Sequence, residues 1–499
     1  MRRVLIANRG EIALRIIRAC TTAGLETVAV YSDADALAPH VLAADAAVRL
    51  GPAPAAESYL DVTALLDAAR QSGADAVHPG YGFLSERAHF ARAVEDAGLV
   101  FIGPPADAIE RLGSKTGARR LMEAAGVPVV PGITLDDQSD GALVAAATTL
   151  GTPLLVKPAA GGGGIGMKTV RHLDELAAAL PQARREAQSA FGNGTLYLER
   201  LIDRPRHIEV QVFGDRHGQI VHLFERECSA QRRHQKVVEE TPSPAVTPAV
   251  RARIGAAAVA AARTVGYQNA GTVEFLLEGE GDQARFYFLE INARLQVEHP
   301  ITECVVGVDL VRAQLAVAAG APLPWRQDQL TQRGHALECR VYAEDPARGF
   351  LPQAGPLLRY REPSGPGIRI DAGVVEGGTV SVYYDPLLAK LIVHAEDREH
   401  CLARMQDALA RFEILGLRTN LDFLHTLIAH PRFVAGQVDT GFLDRHLEEL
   451  CASDGPVPPE VIAAAAWHAS LGGGLATTAT VSSSPGLTDP FETMRGWRG

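Results

Sequence analysis

The sequence predicts an α/β protein, α+β overall, with an N-terminal parallel-sheet unit, a central unit carrying a glycine-rich lid, and a C-terminal mixed β-rich unit. Three observations predict it. A chain of 499 residues has room for about three domains, each with its own core. Residues 3–103 alternate short β-rich runs with Ala/Leu/Arg helical stretches, the signature of βαβ units and a parallel sheet. A glycine run then stands between two strand-like runs, and Pro/Gly turns punctuate the stretch from about 330 to 447.

In the first unit, residues 1–114, the strand-like runs are Val4 to Ala7, Thr27 to Tyr31 and Val100 to Ile102. The helical stretches are Glu11 to Ala23, Thr63 to Gln71 and Ala88 to Ala97. Its first turn, Asn8-Arg9-Gly10-Glu11, lacks the spaced glycines of a dinucleotide-binding turn, so an NAD site is disfavoured. The second unit, 115–325, starts on a helical stretch holding Lys115, and Pro128 and Pro131 lead from it into a lid of about 130–203. There Leu154-Leu155-Val156-Lys157 runs into AAGGGGIGM, and Met167 to Val170 leaves as another strand-like run, so the glycines read as a hairpin tip. A phosphate-binding P-loop would open a helix and put Lys after Gly166, where this chain has Met167. A glycine lid still suits phosphates, because backbone N–H groups without side chains can close on an anion. The third unit, 330–447, is read as β-rich with helices near 400–413 and 420–429, and 451–499, rich in Ala, Gly, Ser and Thr, as a linker-like tail.

Composition narrows the function. There are 48 basic against 59 acidic side chains, a net charge of −11, which disfavours a nucleic-acid partner. The hydrophobic fraction of 47% is that of an ordinary globular protein. Six cysteines without any CxxC spacing argue against a zinc site or a disulfide framework and favour a reducing cytoplasm. The apolar run after Arg2 and Arg3 is too short for a signal-peptide core, and no run approaches the roughly 20 residues of a membrane helix.

The most informative segment is FYFLEINARLQVEHPIT, Phe286 to Thr302. On an extended chain Glu290, Asn292 and Arg294 share one face, and Tyr287, Leu289 and Ile291 point to the other. A carboxylate and an amide oxygen two residues apart suit a hard Mg²⁺ bridging nucleotide phosphates, and a guanidinium beyond them suits a planar oxyanion.

This segment, with VLIANRGEIALRI at 4–16, HPGYGFLSE at 78–86, ERECSAQRRHQKVVEE at 225–240 and GHALECRVYAEDP at 334–346, resembles the biotin carboxylases, which are ATP-grasp enzymes. The resemblance runs from about Val4 to about Leu447. It implies phosphoryl transfer from ATP to bicarbonate, giving carboxyphosphate, then carboxylation of biotin: the first half-reaction of an acetyl-CoA or acyl-CoA carboxylase, as in fatty acid biosynthesis. Such transfer is catalysed mainly by positioning and charge stabilisation.

By resemblance, ATP falls to Lys115, Lys157, Gly161, Gly162, Gly163, Gly164, Gly166, Glu199, Ile202, His207, Gln231, His234 and Leu276, with Glu199 and Ile202 near the adenine. Glu274, Glu290 and Asn292 match the Mg²⁺ or Mn²⁺ ligands. Lys236, Arg294, Gln296, Val297 through its backbone, and Glu298 match the bicarbonate pocket, with Glu298 as general base. Its carboxylate beside Lys and Arg is expected to have a lowered pKa, partly offset by burial. Arg340 resembles the arginine that stabilises the biotin anion, and Tyr81 a biotin-pocket residue.

Two positions depart from the pattern: Ile165, where the family's lid usually has Arg or Lys, and Pro158 after the lysine. The Met-Lys-Met biotinylation signature is absent, which implies a separate biotin carboxyl carrier protein and a carboxyltransferase subunit, and family members are commonly homodimers. The ending DPFETMRGWRG resembles the entry to the next domain of fused α-chains, so a split subunit and a truncated fused chain both stay open. Two other readings compete: another ATP-grasp carboxylate ligase, against which the RRHQK loop and ECR motif speak, and a non-catalytic nucleotide-binding regulator.

Overall fold

The computed structural model describes residues 1–159, 165–233, 235–451 and 459–472, with backbone alone at Lys115, 468–469 and 471–472. Five parallel strands open the fold: β1 (Arg3–Ile6), β2 (Glu26–Ser32), β3 (Ala46–Gly51), β4 (Ala76–His78) and β5 (Val100–Phe101), in the order β3-β2-β1-β4-β5. Val4, Leu5 and Ile6 are all fully buried, because helices cover both faces of such a sheet and leave no strand face for polar residues. The helix Gly10–Thr22 begins on Gly10 at φ +66, a conformation that a Cβ would strain. The helix Val62–Ser72 is capped by the Asp61 side chain and stopped by left-handed Gly73. Two strands lie outside the three runs read from sequence. AAVRLG of β3 opens on two small, exposed alanines at the sheet edge, and the three residues of β4 are too few to show a period.

The lid is a four-stranded antiparallel sheet of β6 (Gly132–Ile133), β7 (Leu154–Pro158), β8 (Lys168–Val170) and β9 (Leu196–Arg200), ordered β6-β9-β7-β8. Helices Asp140–Leu150 and Leu176–Phe191 cover it, with Leu143, Val156, Leu180 and Leu198 in a small core of its own. β7 and β8 pair antiparallel with Val156 opposite Lys168, the hairpin that the flanking runs predict. The four glycines Gly161, Gly162, Gly163 and Gly164 lie outside the described residues, as does His234.

The main sheet is antiparallel and eight-stranded. It comprises β10 (Arg206–Gly214), β11 (Ile220–Arg232), β12 (Gln235–Thr241), β13 (Asn269–Glu278), β14 (Arg285–Asn292), β15 (His335–Tyr342), β16 (Ile368–Ala372) and β17 (Leu387–Ala395). Their order is β14-β13-β10-β11-β12-β15-β17-β16, so β12–β15 pairing carries one sheet from the central into the C-terminal part of the chain. Helix Pro248–Thr264 packs Val250, Ile254 and Ala258 into a core with Val210, Val273 and Phe275. Helices Arg398–Ala410 and Leu421–Ala429 bury Met405, Leu409, Leu424 and Leu427 with Leu337, Leu391 and Val393 of β15 and β17. The opposite, polar side of β10, β12, β13 and β15 is left to face the start of helix His299–Val306.

Two readings need correction. The tail from 451 is not all linker: Pro459–Gly472 forms a helix, entered by a proline at its first position and sustained by four consecutive alanines, Ala463 to Ala466. Strict alternation along β14 also fails. A bulge at Leu289 sets Glu290 opposite Glu274 but Phe288 opposite Phe275, which returns Tyr287 to the Glu290 face. The extra residue in one strand flips the parity of everything before it.

Candidate active site

Four strands bring carboxylates and cations to one place. Lys236 on β12 donates from Nζ to Glu209 Oε2 of β10 at 2.5 Å, Glu274 Oε1 of β13 at 2.9 Å and Glu298 Oε1 at 2.7 Å. Arg340 on β15 donates from Nη2 to Glu298 Oε2 at 2.9 Å and from Nε to Glu239 Oε1 at 2.6 Å. Glu298, Glu209 and Glu239 are wholly buried. Ionised groups withdrawn from water persist only if paired and hydrogen-bonded, and each of these has a cationic partner.

Burial pushes the Glu298 carboxyl up, but Lys236, Arg340 and Arg226 together bring it well below the usual carboxylate range. The expected offset by burial is present, and the cations outweigh it. Glu209 goes the other way: burial and the neighbouring Glu298 and Glu274 charges raise it in spite of Arg226 and Lys236. Glu239 is raised to about 7 by burial, against the pull of Arg340. Carboxylates driven apart in this way can hold and release protons at different points of one reaction.

At the metal-ligand positions, Glu274 and Glu290 are direct cross-strand partners, and Asn292 donates from Nδ2 to Glu274 Oε1 at 2.8 Å. Two acids opposite each other on one face are unfavourable without a cation to share. This all-oxygen donor set fits a hard divalent ion such as Mg²⁺. Burial lowers the His207 imidazole's pKa, but Glu274, whose Oε2 is 3.0 Å from His207 Nε2, reverses this and leaves it raised. Gln231 Oε1 lies 3.4 Å from His207 Nδ1.

Arg294 follows β14 and is held from three sides: Glu86 Oε2 at 3.0 Å, Gln296 Oε1 at 2.9 Å and Asn292 Oδ1 at 3.3 Å. Gln296 Nε2 is buried with no partner among the described residues, a donor left for an oxyanion. The Val297 carbonyl accepts from Lys390 Nζ at 2.9 Å. Tyr81 donates its hydroxyl to Glu11, at the start of helix Gly10–Thr22.

Within the lid sheet, Glu199 on β9 accepts from Lys157 Nζ of β7 at 2.8 Å and, from outside the sheet, from Arg119 Nη1 at 3.0 Å. The predicted adenine-side residue is thus already paired, and Lys157, buried and with its pKa raised, in spite of burial, above the usual value by the Glu199 charge, is locked to it. Ile202 and Leu276 join Val130 and Tyr287 in a small apolar cluster of a kind suited to a flat ring. Gly166 packs so closely that a Cβ there would lie 3.0 Å from Pro158 Cγ, and Ile165 beside it is exposed. The Lys115 side chain lies outside the described residues, although its backbone opens helix Lys115–Ala124.

Sequence reading missed Glu209, Arg226, Glu239, Glu86, Val130 and Lys390. Arg226 is fully buried, bonds Glu209, and donates to Gln211 Oε1 at 2.8 Å, Thr302 Oγ1 at 2.9 Å and Thr272 Oγ1 at 3.1 Å. Arg226, Glu239 and Glu86 all stand inside the quoted motifs, so the signal was their membership of those motifs, not their local pattern. Away from the site, His430, His446 and Glu449 also converge. That group is closed, since His430 Nδ1 accepts from Arg432 N at 3.2 Å and its Nε2 faces Glu449 Oε1 at 3.0 Å. All six cysteines are free thiols, and among the described residues no helix is long and apolar enough to cross a membrane.

Three family models match the chain: biotin carboxylase, N-terminal domain, over 1–109; carbamoyl-phosphate synthase L chain, ATP binding domain, over 114–326; and biotin carboxylase C-terminal domain, over 338–445. A biotin carboxylase of Halalkalibacterium halodurans is 51% identical, with 90% of this chain and 98% of the relative covered. The α subunit of mitochondrial methylcrotonoyl-CoA carboxylase from Arabidopsis thaliana is 49% identical over 94% of this chain, which spans 64% of that relative's length, less than two thirds. Among solved structures, biotin carboxylase of Campylobacter jejuni in complex with β,γ-ATP has a TM-score of 0.86 at 42% identity, covering 89% of this chain and 99% of that one. The biotin carboxylase domain dimer of Hydrogenobacter thermophilus 2-oxoglutarate carboxylase, with MgADP, ADP and bicarbonate, has a TM-score of 0.85 at 43% identity, covering 91% and 99%.

Proposed function

We propose that this chain, which belongs to the biotin carboxylase family of ATP-dependent carboxylating ligases, carboxylates biotin presented on a carrier protein, using MgATP and bicarbonate. One observation carries the reading: a single half-buried ammonium, Lys236, bridges the candidate base Glu298 and the candidate metal ligand Glu274, while Arg340 takes the other Glu298 oxygen. Bicarbonate chemistry and phosphoryl transfer then share one set of fixed charges.

In this reading Arg294, Lys236 and the free Gln296 Nε2 donor hold bicarbonate as a planar oxyanion. Its arrival draws Lys236 away from Glu298, so the carboxylate pKa rises and Glu298 can accept the bicarbonate proton at the oxygen Lys236 gives up, Oε1. The deprotonated bicarbonate oxygen attacks the γ-phosphorus as the bond to ADP breaks. Lys157 and Lys115 hold the phosphates, Glu199, Ile202 and Leu276 flank the base, and His207, Gln231 and His234 complete the nucleotide site with the lid glycines Gly161 to Gly164 and Gly166. Glu274, Glu290 and Asn292 would hold a divalent cation, which would neutralise charge at the phosphates. Arg340 stabilises the biotin anion, next to Tyr81.

The carrier protein, a carboxyltransferase that would hand the carboxyl group to an acyl-CoA, and a homodimer of this chain belong to the same proposal, the last supported by the dimer of the Hydrogenobacter domain. Free thiols support a reducing compartment; plant and mouse relatives are mitochondrial by name, so the cytoplasm is proposed here from the cysteine pattern alone. The test is ADP release from purified protein with MgATP, alone, with bicarbonate, and with bicarbonate plus free biotin. Release that needs bicarbonate and rises with biotin is expected; nucleotide binding without either response would favour the regulator reading.

A further inference from the structure

Lys390, in the middle of β17, has no exposure to solvent and no place in the chemistry above. Its Nζ donates to the Val297 carbonyl at 2.9 Å and lies 3.2 Å from Glu11 Oε2 and 3.8 Å from Asp371 Oδ2. Three distant parts of the chain meet on this one ammonium: the first helix, the loop after β14 and the C-terminal sheet. Asp371 is held in turn by Arg369 at 2.7 Å and Arg18 at 2.8 Å, so Glu11 is the acid Lys390 has largely to itself. Glu11 also receives the Tyr81 hydroxyl, which makes a continuous path Tyr81–Glu11–Lys390–Val297.

The sheet register adds an independent argument. Lys390 is the direct cross-strand partner of Arg340, so adjacent positions in one row reach adjacent residues of the loop: Arg340 the Glu298 carboxylate, Lys390 the Val297 carbonyl. The C-terminal segment is also built to approach the first helix closely, since a Cβ at Gly373 would fall 2.6 Å from Glu11 N. A buried, charge-assisted bond to a backbone carbonyl fixes a peptide plane far better than a solvated one.

We propose that Lys390 is a positioning residue: it fixes the Val297 peptide, and so the Gln296–Glu298 run, and through Glu11 it sets that run's distance from Tyr81. The inference rests on the bicarbonate and biotin roles proposed above. Lys390→Met is expected to raise KM for bicarbonate about tenfold, the size of one lost charge-assisted hydrogen bond, and to change ATP affinity by less than about twofold. Glu11→Gln, which spares the Lys390–Val297 bond, is expected to raise KM for biotin more than KM for bicarbonate. Because Lys390→Met leaves the buried Glu11 carboxylate short of its cation, Lys390→Met/Glu11→Gln serves if the single variant does not fold, with the same bicarbonate effect. A folded variant with an unchanged bicarbonate KM, or with ATP affinity and turnover lost in equal measure, overturns the proposal. Amide hydrogen exchange over 296–299 gives a readout that needs no turnover. It should quicken in Lys390→Met; unchanged exchange refutes positioning, whereas a wild type that releases no ADP with bicarbonate refutes the assigned reaction.

Discussion

Replacing Lys236 by Met removes the one cation that Glu209, Glu274 and Glu298 share, at 2.5, 2.9 and 2.7 Å. Arg226 still serves Glu209, and Arg340 still serves Glu298, but Glu274 keeps His207 and the neutral Asn292 amide among the described residues. Breaking a buried pair by deleting one partner costs about 3–5 kcal/mol, because the remaining charge stays buried and unmatched. The sign follows from the titrations. Glu274 and Glu298 are held below their usual range in the native protein, so their contribution is complete above the unfolded carboxylate pKa and fades only as pH falls through the folded values. In Lys236→Met both groups move up, and the folded variant recovers stability by binding protons as pH falls. The gap between the proteins should therefore be full at pH 8 and visibly smaller at pH 5.5. Urea unfolding at both pH values, followed by circular dichroism, measures it, and bicarbonate-dependent ADP release should fall by about two to three orders of magnitude in parallel. A gap that is the same at both pH values would mean that the lysine acts by packing, and would refute the charge-sharing argument.

Ile165→Arg should tighten ATP binding about five- to tenfold, measured by equilibrium binding, since an exposed apolar residue stands where a lid cation would meet phosphate; unaltered affinity would remove Ile165 from the phosphate side. Glu239, raised to about 7 by burial against the pull of Arg340, keeps a proton in the folded state that the unfolded chain has already released. Stability should fall as pH rises from about 4.5 to 7 and level off above. Glu239→Gln should abolish that slope in the melting temperature, and its persistence would assign the slope elsewhere. Glu86→Gln should raise KM for bicarbonate about two- to fivefold with kcat nearly intact, because it loosens Arg294 and the Ala293 amide through a partly exposed carboxylate. A wild-type KM would show that Asn292 and Gln296 suffice to aim Arg294.

Much of the fold was legible locally. The alternation of short β-rich runs with helical stretches announced the parallel sheet, and strand-like runs on both sides of the glycines announced the hairpin of β7 and β8. The misses have physical causes. β3, with small exposed residues at the sheet edge, and β4, only three residues long, carry no period, the bulge at Leu289 reverses which face Tyr287 takes, and the alanine run after Pro459 makes a helix out of a stretch whose composition reads as linker. At the site, the ordered motifs of the resemblance named the residues that stand next to one another in sequence, such as Gln296, Val297 and Glu298.

By itself, then, the sequence determined which groups are present and which of them neighbour one another along a strand or a loop, because side-chain direction over a few residues follows from backbone period alone. Only the tertiary structure decided which charges neutralise which. Glu209, Glu239, Arg226 and Lys390 come from four strands up to 181 positions apart, as the numbering of Glu209 and Lys390 gives, and their ionisation depends on separations of a few ångströms in a dry interior. No reading of periodicity contains those distances, since sheet order and register set them, and it is they that make Glu298 an anion, Glu239 a group titrating near 7 and Lys390 the tie between two halves of the site.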